Sequence, residues 1–268
     1  MTTLHRSIHH IPDKRSKWLF ILPSLVLIGL LGLPVVALIF RSLGNGLWKH
    51  LLTPAATSAL KLSLVTSVLC VGISLLTGTP LAYTLARWKF KGKNWLELLI
   101  DLPVVLPPSV AGLALLMAFG RKGIFGAWFQ ILGFSLPFTT TAVILAQTFV
   151  AAPLYVRAAR LGFTNVDEQL EEAAHVEGAN QWQLFRFVML PLSRRAMLNG
   201  VILTWARALG EFGATILFAG NLEGVTQTMP LAIYLGLERD LGVALGLAVV
   251  LVSLSIVLLG MTRWLERD

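Results

Sequence analysis

Two charged side chains stand where the sequence offers them little water. Arg207 and Glu211 fall inside the apolar block 196–219, four residues apart, so on a helix they share one face and can pair with each other. A charge at membrane depth is costly and ordinarily faces a protein interior or a water path. Two readings follow: a structural ion pair that fixes the helix in a bundle, or direct contact with a charged cargo. A bare carboxylate repels an anion, so if this face lines a path for one, Arg207 is its attractive member, and Thr215 joins the pair as a candidate pathway residue. A second place with chemical potential is Pro103, Pro107, Pro108 and Ser109. Three prolines this close cannot all sit in a regular helix, so the segment near residue 102 is predicted to open with a broken, partly extended entrance. Irregular backbone at membrane depth is tolerated only where it is buried in protein or lines a cavity. Its freed amides, the Ser109 hydroxyl and the N-terminus of the following helix would then face a passing anion. The other reading is a proline kink packed against a neighbour.

The elements that position these residues are bilayer spans. Of 268 residues, 56% are hydrophobic and 13% charged, whereas an average soluble domain carries about 25% charge. Every backbone amide in hydrocarbon must be satisfied within its own segment, so long charge-free runs are read as helices. Six are predicted, over about 18–41, 58–86, 102–120, 139–159, 196–219 and 241–262. The charge-free run 19–40 exceeds the roughly 7–15 residues of a signal-peptide core, so it reads as a retained helix. The net charge of +8 does not point to nucleic acid, because most of the 22 Lys and Arg sit between apolar blocks rather than along a periodic face. With the N-terminus inside, their excess falls on the cytoplasmic side, which places both termini there. The expected organisation is a cytoplasmic tail over 1–17, a membrane domain over 18–264 and a short tail over 265–268, with no nucleotide-binding domain following.

The longest polar stretch, 162–195, lies between the fourth and fifth spans. Asn165 is predicted to cap a helix whose first turn carries Asp167 and Glu168, Gly178 to end it, and a second short helix over 181–188 to run into Pro191. Read from its residues alone, this is an amphipathic cytoplasmic hairpin. Within it, Glu172-Ala173-Ala174, then Gly178, then Val188-Met189-Leu190-Pro191 resembles the EAA loop of ATP-binding-cassette importer permeases, with Val188 where that pattern usually has Ile. The resemblance implies an all-α, six-span permease of the type I importer fold. In that family the loop is a coupling helix that docks on a cytosolic ATPase, a role that carries over to Glu172, Ala173, Ala174, Gly178, Leu190 and Pro191. Residues 102–112 and 206–215 resemble the molybdate, tungstate and sulfate branch, and 226–234 resembles molybdate permeases more than sulfate ones. It further implies a homodimer, two cytosolic ATPase subunits that hold ATP and Mg, and an extracytoplasmic oxyanion-binding protein.

Competing classes find little support. A stand-alone secondary transporter needs mid-membrane carboxylates, and Glu211 is the one clear candidate. No His-Glu-x-x-His, Gly-x-Ser-x-Gly or P-loop is present. The five histidines, His5, His9, His10, His50 and His175, fall outside the predicted spans, and the single Cys70 precludes an intramolecular disulfide. Catalysis, a metal and a cofactor on this chain are therefore not expected.

Overall fold

Helices account for most of the described residues, and the longest of them fall on the continuous apolar stretches. The computed structural model describes residues 14–44 and 46–267. Its helices, in order, are α1 (Lys14–Leu43), α2 (Leu47–Leu51), α3 (Pro54–Arg87), α4 (Lys93–Val105), α5 (Pro108–Phe119), α6 (Gly126–Ile131), α7 (Thr140–Thr164), α8 (Glu168–Val176), α9 (Gln181–Leu184), α10 (Leu190–Leu209), α11 (Gly213–Phe218), α12 (Met229–Arg239) and α13 (Leu241–Arg267). Helices α1, α3, α7 and α13 are each long and apolar enough to cross a bilayer. His5, His9, His10 and most of the segment 1–17 lie outside the described residues.

The centre of the fold is α7, packed between α3 and α10. Polar groups bridge the three helices, because a hydroxyl or amide buried among them needs a partner. The hydroxyls of Thr79 and Tyr155 share a hydrogen bond of 2.6 Å, the Trp205 indole donates to Ser67 Oγ at 2.9 Å, and Gln147 Nε2 donates to the Ala208 carbonyl at 3.2 Å. Around this trio, α11 packs on α5, and α12 and α1 pack on α13. Helix α1 is exposed along nearly its whole length, with Leu19, Phe20, Leu30, Leu33 and Phe40 all more than two-thirds exposed. Such a face is stable only in lipid or against another chain.

Two of the predicted spans are not single helices. The third, 102–120, is divided at Leu106-Pro107: α4 ends at Val105, and α5 begins at Pro108 after a bend of 119°. Pro107 and Pro108 lack amide protons, so neither can continue the ladder of α4, whereas Pro108 suits the first turn of α5. The fifth, 196–219, breaks at Gly210-Glu211-Phe212, with α10 ending at Leu209 and the six residues of α11 following. Here the Glu211 carboxylate accepts from the Ala214 amide at 2.8 Å, which starts a new helix and competes with continuation of the old one.

Two local expectations also change. Asn165 is the C-cap of α7, and the N-cap of α8 is Asp167, whose Oδ1 accepts from the Gln169 amide at 3.0 Å. The short helix over 181–188 does not stop at Pro191. Instead α9 passes through a π-turn at Phe185–Met189 directly into α10, with Pro191 in its first turn. The wider turn relieves the clash between a proline ring and the carbonyl four residues earlier, so the helix continues.

Candidate functional site

Two constructions could do work: a stiff polar loop at one end of the bundle, and a broken helix within it. The loop starts where α7 ends. Helix α8 carries Glu168 and Glu171 in its first turn, as the helix dipole favours. It stops in a left-handed turn at Gly178 (φ +84°). Gly178 donates to the His175 carbonyl at 3.0 Å and Ala179 to the Ala174 carbonyl at 2.9 Å, a Schellman closure that a side chain at 178 would strain. Next, Asn180 and Gln183 form a reciprocal capping box, with bonds of 2.9 and 2.8 Å, that starts α9.

What makes the loop rigid is its attachment to α3. Arg87, on the last turn of α3, is ion-paired with Glu171 and donates to the Val166 carbonyl at 2.7 Å, and both charged side chains are largely buried. One helical turn earlier, Tyr83 Oη accepts from Gln181 Nε2 at 3.0 Å, and its ring meets Phe163 and Phe185 edge-on. Leu184 and Met189 are buried in the same cluster, against which Ala174 packs. The loop is thereby tied at three points to the α3–α7 pair. Its opposite face is open. Glu172 and Ala173 are exposed, beside Leu170, Val176, Trp182 and Phe187, of which Val176 is 87% exposed. A cleft of about 320 Å³ lies next to them, lined by Gly178, Gln183, Phe187 and Val188 among others. Leu190 is half-buried and Pro191 exposed at the base of α10.

The membrane site is built where the α4–α5 break meets the α10–α11 break. A Cβ at Gly213 would lie 2.4 Å from the Pro108 Cβ, and one at Gly112 would lie 2.8 Å from the Leu217 Cβ and 3.0 Å from Ala214 backbone. The crossing of α5 and α11 therefore requires glycine on both sides. Arg207 Nη1 and Glu211 Oε2 are 2.7 Å apart; Glu211 is 1% exposed and the Arg207 side chain 34%. Glu211 spends one oxygen on the cation and the other on the α11 amide, and so fixes the guanidinium at the break while leaving part of it open. Thr215 is fully buried in α11 with no partner for its hydroxyl. Ser109, Pro107 and Pro108 are exposed. Of the residues singled out by sequence, the structure thus brings Pro108 against α11, pairs Arg207 with Glu211, and leaves Ser109 free at the turn.

A family model described as "Binding-protein-dependent transport system inner membrane component" matches residues 78–268, which include every residue of both constructions. The chain belongs to that family. It is a permease subunit of an ATP-binding-cassette transporter, not an enzyme. It is 38% identical over 252 residues to a probable transport system permease protein NifC of Clostridium pasteurianum, covering 93% of this chain and 88% of that one. It is 39% identical over 251 residues to the molybdenum transport system permease protein ModB of Mycobacterium tuberculosis, covering 93% of this chain and 95% of that one. Its fold is similar to a chain of a bacterial alginate ABC transporter solved with an alginate-bound periplasmic protein, with a TM-score of 0.72 at 16% identity, over 95% of this chain and 94% of that one.

Several residues of this permease that position its site lie outside the motifs the sequence shows. Arg87 and Tyr83 hold the loop although they lie far from it in sequence. Arg157 pairs with Asp101 at 2.5 Å and Arg160 with Glu97 at 2.9 Å, binding α4 along α7. The i,i+4 spacing of the acids and i,i+3 spacing of the arginines were the available clue. The loop 226–228 is buried, and the Met229 amide at the start of α12 donates to Ser63 Oγ on α3 at 2.7 Å.

Proposed function

We propose that this chain is the membrane path for molybdate, with tungstate as a close analogue, in an importer driven by a separate ATPase. In this reading two copies form the path. Two cytosolic ATPase subunits holding ATP and Mg receive the α8 loops, and an extracytoplasmic oxyanion-binding protein delivers the cargo. Six crossings are assigned as α1, α3, the bent pair α4–α5, α7, the broken pair α10–α11, and α13. Both termini are cytoplasmic, with tails over 1–17 and 265–268 flanking a membrane domain over 18–264.

The observation that carries the mechanism is the joint between α8 and α3. ATP binding closes the ATPase pair, and the exposed face at Glu172 and Ala173 moves with it. Because Arg87–Glu171 and Tyr83–Gln181 lock the loop to α3, the motion passes to the bundle instead of being absorbed by the loop. The α5–α11 crossing, seated near Arg207, Glu211 and Thr215, is where that motion opens or closes the path. A half-exposed guanidinium held by a carboxylate attracts a tetrahedral dianion without gripping it, as release requires. Pro107, Pro108 and Ser109 form the irregular wall opposite. The relatives named for molybdenum transport support the cargo.

Uptake of radiolabelled molybdate by a bacterium deleted for its own molybdate permease, with this chain supplied beside its cognate ATPase and binding protein, tests the assignment. Accumulation competed by tungstate and not by sulfate is expected. Competition by sulfate or thiosulfate at equal concentration would move the chain to the sulfate permeases.

A further inference from the structure

We propose that the turn joining α3 to α4 is a binding surface for anionic phospholipid headgroups. It reads Trp88-Lys89-Phe90-Lys91-Gly92-Lys93-Asn94-Trp95, with aromatic and cationic side chains alternating before the glycine. Lys89 and Lys91 are exposed and Lys93 half-buried, while Trp88, Phe90 and Trp95 are 53%, 39% and 77% exposed. The neighbouring acids are already engaged: Glu171 with Arg87, Glu97 with Arg160 and Asp101 with Arg157. Among the described residues no acid pairs with any of the three lysines, so the turn keeps three uncompensated positive charges.

Its position fits a lipid better than a soluble anion. Glu97, one turn into α4, pairs with Arg160, one turn before α7 ends at Thr164, which sets the turn at the boundary of the bilayer. There indole rings settle by preference, and lysines reach headgroups while their stems stay apolar. Gly92, with φ +92°, folds the chain back so that Phe90, Lys93, Asn94 and Trp95 line an open cleft of about 300 Å³. From this cleft the exposed apolar face of α4, Leu98, Leu99, Leu102 and Val105, continues away from the boundary. A phosphate over the lysines places its acyl chains along that face. The inference rests on the chain's residence in a bilayer and not on its cargo.

The test is native mass spectrometry of the intact transporter in detergent, given phosphatidylglycerol or phosphatidylcholine of identical acyl chains. The wild type is expected to retain phosphatidylglycerol in at least tenfold preference, falling as salt is raised. Each lysine contributes roughly fivefold, so K89Q/K91Q/K93Q loses most of that preference, whereas Trp95→Ala weakens both lipids alike. The salt dependence of the wild type stands whether or not the triple variant folds. Equal retention of the two lipids by the wild type, an unchanged preference in a folded triple variant, or displacement by millimolar inorganic phosphate would each overturn the assignment.

Discussion

Replacing Arg87 by methionine should free the α8 loop while leaving the bundle folded. The guanidinium makes two contacts that methionine cannot: the ion pair with Glu171 and the 2.7 Å bond to the Val166 carbonyl. A hydrogen bond involving a charged group contributes about 1.5–3 kcal/mol. Removing one member of a fully buried pair costs about 3–5 kcal/mol, whereas exposed pairs contribute about 0.2–1 kcal/mol. With side chains 11% and 17% exposed, this pair lies between those limits, so the loop should lose roughly 3 kcal/mol of its hold. Roughly 3 kcal/mol is on the order of 100-fold in the opening equilibrium. Amide hydrogen exchange in the segment from Gln169 to Leu184 reports that opening directly, and ATP hydrolysed per anion transported reports its consequence. Arg87→Met should raise exchange there by on the order of 100-fold and transport fewer anions per ATP, with α7 protected as before. The double variant R87M/E171M should be no worse than R87M alone, since the two residues act as one unit. Exchange unchanged within twofold, or additive losses in the double variant, would show that the loop is held by other contacts.

Gly213→Ala should destabilise the permease by about 1–3 kcal/mol through overpacking, because its new methyl would lie 2.4 Å from the Pro108 Cβ. Gly72→Ala, in the open on α3 with nothing within 4 Å, should be stabilising by about 0.5–1 kcal/mol; equal melting temperatures would refute this account of the crossing. Arg207→Gln should abolish most uptake while ATPase activity persists. Glu211→Gln should lower uptake less, since an amide still accepts from Ala214; the reverse order would make Glu211 the cargo contact.

The spans that the sequence reveals most clearly are those that run as one unbroken apolar helix. A charge-free run suffices to locate α1, α3, α7 and α13, because hydrocarbon imposes the same requirement on every residue. It fails at 196–219, where one buried carboxylate redirects the backbone: Glu211 signals a break only once its bond to Ala214 is known. Proline gave opposite outcomes for a related reason. At 107–108 two consecutive rings leave no way to continue, whereas the single ring at 191 is absorbed by a π-turn. The residues from Glu172 to Pro191 can be picked out one by one in the sequence, but the attachment of their loop to α3 cannot. Arg87 and Tyr83 meet Glu171 and Gln181 across a long stretch of chain, and their chemistry alone names no partner. Helix α12 leaves no such mark either, since an 11-residue helix carries too short an apolar run to register as a span.

The central claim is that force enters through the exposed face of α8, and reversal of charge at Glu172 tests it most directly. In proteoliposomes containing the complete transporter, E172R should leave assembly into the membrane and ATP hydrolysis measurable while reducing molybdate uptake per ATP at least tenfold. Uptake per ATP equal to that of the wild type, or uptake by the permease without any nucleotide-hydrolysing partner, would contradict the account.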